Sequence, residues 1–179
     1  MPKTLTLLIA AGALGAAVSG CGSSSRAPGI VTAPGGGATA ASTTATVSTP
    51  TSGPLSKEPT ITKPTAPAPS KLVTKNLITG TGKTAEPGDT IVVNYVGAVY
   101  KTGKVFDASW KRGTTFTTKL TSGSGGVIEG WVKGIAGMKV GGRRQLIIPP
   151  SLAYGKQAQA GIPANSTLIF DVDLLKVSK

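Results

Sequence analysis

All eight aromatic residues of this 179-residue chain fall between Tyr95 and Phe170. Aromatic side chains carry the largest apolar area per residue, so a packed core is expected where they cluster. Upstream, residues 22–70 hold 40 Pro, Gly, Ala, Ser or Thr among 49 positions, with only Ile30, Val31, Val47, Leu55 and Ile61 as scattered larger aliphatic residues. A stretch of that kind is expected to stay disordered, because it has too little apolar surface to offset its ordering entropy. The chain is therefore divided into a leader over 1–20, a linker over 21–70 and a folded domain over 71–179. The last is long enough to bury one core.

Composition excludes much enzymology. Histidine is absent, which removes His-based triads, His-ligated metals and imidazole acid–base pairs. The single cysteine, Cys21, allows neither an internal disulfide nor a thiolate cluster. No metal site and no cofactor are expected. The net charge is +12, and residues 71–179 carry 15 Lys/Arg against 6 Asp/Glu. A basic domain suits nucleic acid, an anionic membrane or anionic wall polymers. The lysines are scattered singly, however, and the densest run is only Lys139 to Arg144 (KVGGRR). A solvated cationic surface is the expectation, with no nucleic-acid partner.

The leader reads as an export signal. Lys3 precedes a 14-residue, mostly apolar run from Leu5 to Val18. As a helix it would span ~21 Å, short of the ~30 Å hydrocarbon core, which fits a signal sequence better than a membrane span. The run ends in Val18-Ser19-Gly20-Cys21, which resembles the lipobox of bacterial lipoprotein precursors. The resemblance implies cleavage before Cys21, acylation of that cysteine, and an extracytoplasmic protein held to the cell membrane by its lipid anchor. Taken as a flexible coil, the linker would give the domain a root-mean-square reach of roughly 35–42 Å.

From Leu72 the pattern changes to short β-type runs. Leu72-Val73 to Leu77-Ile78, Thr90 to Tyr100, Val105 to Ser109, Thr114 to Leu120, Arg143 to Ile148 and Thr167 to Val177 read as strands separated by Gly, Pro and Lys turns. In the last of these, Leu168, Phe170, Val172 and Leu174 share one face by period two. One helix is predicted over about Ile128 to Met138, with Ile128, Trp131, Ile135 and Met138 forming an apolar stripe. Gly130, Gly134 and Gly137 weaken its intrinsic helicity but permit close approach to a sheet. The expectation is an α+β domain, an antiparallel sheet of five or six strands wrapped over one short helix.

These residues resemble FKBP-type peptidyl-prolyl isomerases. The likeness is carried by Val93-Asn94-Tyr95-Val96-Gly97, Gly103-Lys104-Val105-Phe106-Asp107-Ala108-Ser109 and Val127-Ile128-Glu129-Gly130-Trp131. It continues through Gly137 to Gly141, Ile148-Pro149-Pro150, Leu152 to Gly155, Gly161-Ile162-Pro163 and Leu168 to Leu175. The resemblance implies an apolar cup for the prolyl ring, formed by Tyr95, Phe106, Phe116, Val127, Ile128, Trp131, Tyr154, Ile162 and Phe170. Asp107 and Tyr154 would be the polar groups at its rim. The backbone N–H of Ile128 and the Tyr154 hydroxyl would meet the substrate carbonyl. An ion pair with Arg112 is the alternative role for Asp107.

The implied chemistry suits a chain without nucleophile, metal or imidazole. Rotation about an X–Pro bond has a barrier of ~18–20 kcal/mol and takes tens to hundreds of seconds unaided. The implied partners are proline-containing polypeptides, with macrolides of the rapamycin class as ligands of the same cup. The implied role is assistance in folding exported proteins. One other class remains open, a tethered peptide- or partner-binding module with incidental activity; a basic surface adhesin with a vestigial cup is a third, against which the presence of Tyr95, Phe106, Asp107, Trp131, Tyr154 and Phe170 argues. Two loops depart from the smallest family members. The loop around Ser122 to Gly126 is about two residues longer, and the loop after Tyr154 is about one shorter. Trp110, beside the Phe106-Asp107 edge, is expected to pack or to extend the rim.

Overall fold

The β-branched run beginning at Thr90 becomes the strand around which the sheet is assembled. The computed structural model describes residues 48–123 and 125–179. The leader, the tetrapeptide ending in Cys21 and the linker as far as residue 47 lie outside the described residues. In chain order the elements are β1 (Val73–Ile78), β2 (Thr90–Val99), β3 (Val105–Ala108), α1 (Ser109–Arg112), β4 (Phe116–Lys119), α2 (Glu129–Ile135), β5 (Arg143–Ile148) and β6 (Leu168–Ser178). A single 3-10 turn, Pro150–Leu152, follows β5.

All the pairings between the named strands are antiparallel, and the order β1-β5-β6-β2-β3 gives a six-stranded sheet with β4 also on β2. β6 pairs with β2 from Thr90↔Ser178 to Val99↔Leu168. On the other edge, β4 pairs with the first part of β2 and β3 with the last. Between them the chain leaves the sheet through α1, a helical turn that strand propensity alone did not anticipate at Ser109. This detour begins just after Asp107, the last-but-one residue of β3, places Arg112 beside it, and returns the chain to the sheet at Phe116.

α2 is shorter than the apolar stripe predicts, because the backbone turns extended at Ala136. Its glycines act as expected at two positions. A Cβ at Gly130 would lie 2.3 Å from Ile148 Cγ2, and one at Gly134 would lie 2.8 Å from Leu146 Cδ2. The helix therefore seats directly on β5, and packing against the sheet offsets its weak propensity. Trp131, Ile135 and Met138 enter the main core with Leu146, Ile148, Leu168, Phe170, Val172 and Leu174. The period-two face of β6 is the face turned toward this helix.

On the opposite face of the sheet the extent of the linker departs from the sequence reading. Ile169, Asp171 and Asp173, which alternate with the core-facing residues of β6, are only 2%, 2% and 0% exposed. Part of the expected linker lies across them. Ile61 packs on Ala98, Tyr100 and Ile169. The Lys57 carbonyl accepts from Arg143 Nη2 at 2.7 Å, and Thr49 Oγ1 accepts from Asn94 Nδ2 at 2.9 Å. Leu55 and Pro59 are buried. Residues 49–63 thus form a strap over the outer face, where a linker reaching to residue 70 was expected. Composition misled because isolated apolar residues cannot nucleate a core of their own but can dock on one already built. Prolines limit the entropy lost in doing so.

Candidate active site

Aromatic side chains of β2, β3, β4, α2 and β6 converge around a cavity of about 360 Å³. Its walls are Tyr95 from β2, Phe106 and Asp107 from β3, Phe116 from β4, Trp131 from α2 and Phe170 from β6. Val127 and Ile128 enter from the α2 approach, and Tyr154 from the loop after the 3-10 turn. Nine of the ten residues expected at the cup or its rim therefore line one cavity. Ile162 does not. It is packed in the main core and faces a neighbouring cavity with Val99 and Pro163, because the Gln159–Ile162 bridge pulls its loop back on itself. Trp110 also stays off the cavity wall.

The rings meet edge to face. Trp131 lies 5.2 Å from Tyr95 at 83° and 5.4 Å from Phe170 at 87°, centroid to centroid. Tyr95 and Phe116 are 5.7 Å apart at 73°, and Phe106 and Phe170 are 5.7 Å apart at 86°. Positive ring edges against negative faces hold such a cage more firmly than area burial alone. The Trp131 indole N–H is buried and finds no acceptor among the described residues. The Trp110 indole N–H, off the cavity, is buried and without an acceptor among the described residues in the same way, so this feature does not by itself mark the site.

Two glycine features shape this cage, one in β2 and one in the lengthened loop around Ser122 to Gly126. A Cβ on Gly97 would lie 2.6 Å from Phe170 Cε1 and 2.9 Å from Phe106 Cζ. The missing side chain on β2 is what lets those two rings close together. Gly123 and Gly126 line another wall, so that side of the opening is bounded by backbone. Sequence offered a signal for Gly97, a glycine inside a strong strand pattern, which often marks close approach.

At the rim, polar groups form a triangle. The Tyr95 hydroxyl donates to Asp107 Oδ2, Arg112 Nη1 donates to Asp107 Oδ1, and Arg112 Nη2 donates to the Tyr95 hydroxyl at 3.0 Å. The Arg112 guanidinium also sits 5.7 Å from the centre of the Tyr95 ring. Asp107 thus does form the ion pair weighed as its alternative role, and it shares that pair with a cavity ring. Burial, with Asp107 as the next contribution, pushes the Tyr95 phenol up to about 12. Tyr154 is 38% exposed, and its phenol is raised by burial and then by the Asp107 charge. Both phenols therefore remain hydrogen-bond donors at neutral pH. The Ile128 N–H meets no backbone acceptor among the described residues.

Comparison with known proteins points the same way. Residues 81–175 match the family model described as FKBP-type peptidyl-prolyl cis-trans isomerase. The chain is 46% identical over 119 residues to a probable FK506-binding protein of Corynebacterium glutamicum, covering 66% of this chain and 98% of that protein. It is 46% identical over 123 residues to an FK506-binding protein of Streptomyces anulatus, covering 68% and 98%. Among solved structures, FkpA from Escherichia coli is similar, with a TM-score of 0.55 and 42% identity, over 68% of this chain and 53% of that chain.

Proposed function

Because the chain belongs to the FKBP-type peptidyl-prolyl cis-trans isomerase family, we propose that its aromatic cavity receives a prolyl ring and speeds rotation about the preceding peptide bond. The carrying observation is the edge-to-face cage of Tyr95, Phe116, Trp131 and Phe170, lined also by Asp107 and Tyr154. A planar amide is more dipolar than a twisted one. An apolar cage that excludes water therefore disfavours the planar ground state relative to the twisted transition state. The Ile128 N–H and the Tyr154 hydroxyl supply donors for the substrate carbonyl, which fixes the bond in place while it turns. No bond is made or broken in the protein. A ten-thousandfold acceleration requires only ~5.5 kcal/mol of differential stabilisation.

The substrates in this reading are proline-containing segments of exported polypeptides, with rapamycin-class macrolides competing for the cage. Support for an exported, lipid-anchored protein is the VSGC sequence after an apolar run too short to span a bilayer. The test is a prolyl-isomerisation assay on the full chain with and without rapamycin. Catalysis that rapamycin abolishes supports the reading, and a chain that binds prolyl peptides without accelerating isomerisation overturns it.

A further inference from the structure

A line of hydrogen bonds runs from the strap to the backbone of Tyr95 without entering the cavity. The Tyr95 N–H donates to Ser109 Oγ at 3.0 Å, and the Ser109 hydroxyl donates to Asn94 Oδ1 at 3.0 Å. Asn94 Nδ2 then donates to Thr49 Oγ1 at 2.9 Å. Ser109 is fully buried and Asn94 is 1% exposed. Every donor points the same way along this line, so each bond polarises the next.

The position of Ser109 gives the line its importance. The β2–β3 ladder ends at Val96↔Ala108, one residue before Ser109 opens α1. Its side chain takes over where the departing backbone no longer pairs with β2. It pins the start of the helical turn whose last residue, Arg112, holds both the Tyr95 hydroxyl and Asp107. Tyr95 is thereby held at both ends, its amide by Ser109 and its hydroxyl by the rim triangle.

We infer that Ser109 and Asn94 are positioning residues of the isomerase site, and that the strap's Thr49 completes them from the outer face. The strap then has a role beyond covering the sheet. By fixing the Asn94 amide it fixes Ser109, and through Ser109 both the Tyr95 ring and the α1 turn. Losing the Thr49 hydroxyl leaves the Asn94 Nδ2 group in a nearly closed site without an acceptor. The inference rests on the isomerase reading of the cavity.

The experiment compares full-chain Thr49→Val and Thr49→Ser with the parent and with Ser109→Ala. It measures kcat and KM on a prolyl tetrapeptide, melting temperature, and Tyr95 amide hydrogen exchange by NMR. Thr49→Val should lower kcat about three- to tenfold with KM little changed, the effect of one net hydrogen bond expressed as a rate. It should also speed Tyr95 amide exchange, and Thr49→Ser should restore both. Ser109→Ala should do more of the same, and if it fails to fold, the partly exposed Thr49 still decides the matter. Parental kcat and Tyr95 exchange in Thr49→Val overturn the inference, as does a Thr49→Ser as impaired as Thr49→Val. A parent chain without isomerase activity instead sinks the functional reading, and Tyr95 exchange alone then decides whether the strap reaches the cavity.

Discussion

Arg143 grips Asp173 with two parallel bonds, Nε to Oδ1 at 2.5 Å and Nη2 to Oδ2 at 2.8 Å, beneath the strap carbonyl of Lys57. Asp173 is fully buried and the Arg143 side chain is only 11% exposed. Removing one partner of a buried pair strands the other charge, so Arg143→Met should destabilise the domain by about 3–5 kcal/mol. Adding Asp173→Leu should recover most of that loss, since a matched apolar pair is often neutral. Chemical denaturation of the single and double variants checks both statements.

Asp171, beside that pair, has no arginine of its own and takes its bond from Gln145 Nε2 at 3.0 Å. Burial raises its carboxyl above the ordinary range. The folded state thus binds this proton more tightly than the unfolded chain. Its contribution is most favourable below the unfolded carboxylate value and is lost as pH rises through the folded one. Asp171→Asn keeps an oxygen for Gln145 and removes the charge. It should melt higher than the parent at pH 7, and the advantage should shrink toward pH 4. Parallel melting curves that never converge would show that burial of Asp171 does not set the difference.

Trp131 and Asp107 should separate stability from function. Trp131 is 4% exposed and belongs to both the core and the cage. Trp131→Ala should cost about 3–5 kcal/mol of stability and most of the isomerase rate. Asp107 sits at a half-exposed rim, where an ion pair contributes roughly 0–1 kcal/mol. Asp107→Val should therefore lower kcat/KM through the loosened Tyr95 and Arg112 while leaving the melting temperature within a few degrees. Equal stability loss in the two would make Asp107 structural.

The strap predicts a particular proteolysis pattern. Limited digestion should leave a stable fragment that begins near residue 48, retaining Leu55, Pro59 and Ile61, rather than one that begins at Lys71. Leu55→Ala should move cleavage downstream, toward residue 70. Mass spectrometry of the fragments reads the outcome directly.

Cys21→Ser should shift the protein from the detergent phase to the aqueous phase on phase partitioning, with no change in the melting of the folded domain. Two or more acyl chains anchor stably, and the substitution removes the thiol that would carry them. A variant that remains in the detergent phase after signal removal would refute the lipid anchor.

The sheet, the helix and most of the cavity wall were legible because each rests on local rules. Period two on Leu168, Phe170, Val172 and Leu174 marks a strand face, and spacing on Trp131, Ile135 and Met138 marks a helix face. Family spacing then brings Tyr95, Phe106, Phe116, Trp131 and Phe170 around one cavity. The α1 turn escaped notice because Ser109 follows a β-type run and its helical turn is held by Tyr95 and Asn94, far from it in sequence.

The amino-acid order alone determined the division of labour along the chain: where aromatics are dense enough to build a core, and which chemistries the missing histidines exclude. Tertiary structure alone decided the rest. It withdrew Ile162 from the cavity, gave Gly97 its role by closing two rings over it, and laid Thr49 to Lys63 across the outer face of the sheet, where a free linker was expected. The reason is physical. A segment whose only aliphatic side chains are Leu55 and Ile61 has no stable structure of its own, so its conformation is set by the surface it meets, and that surface exists only once distant strands have paired.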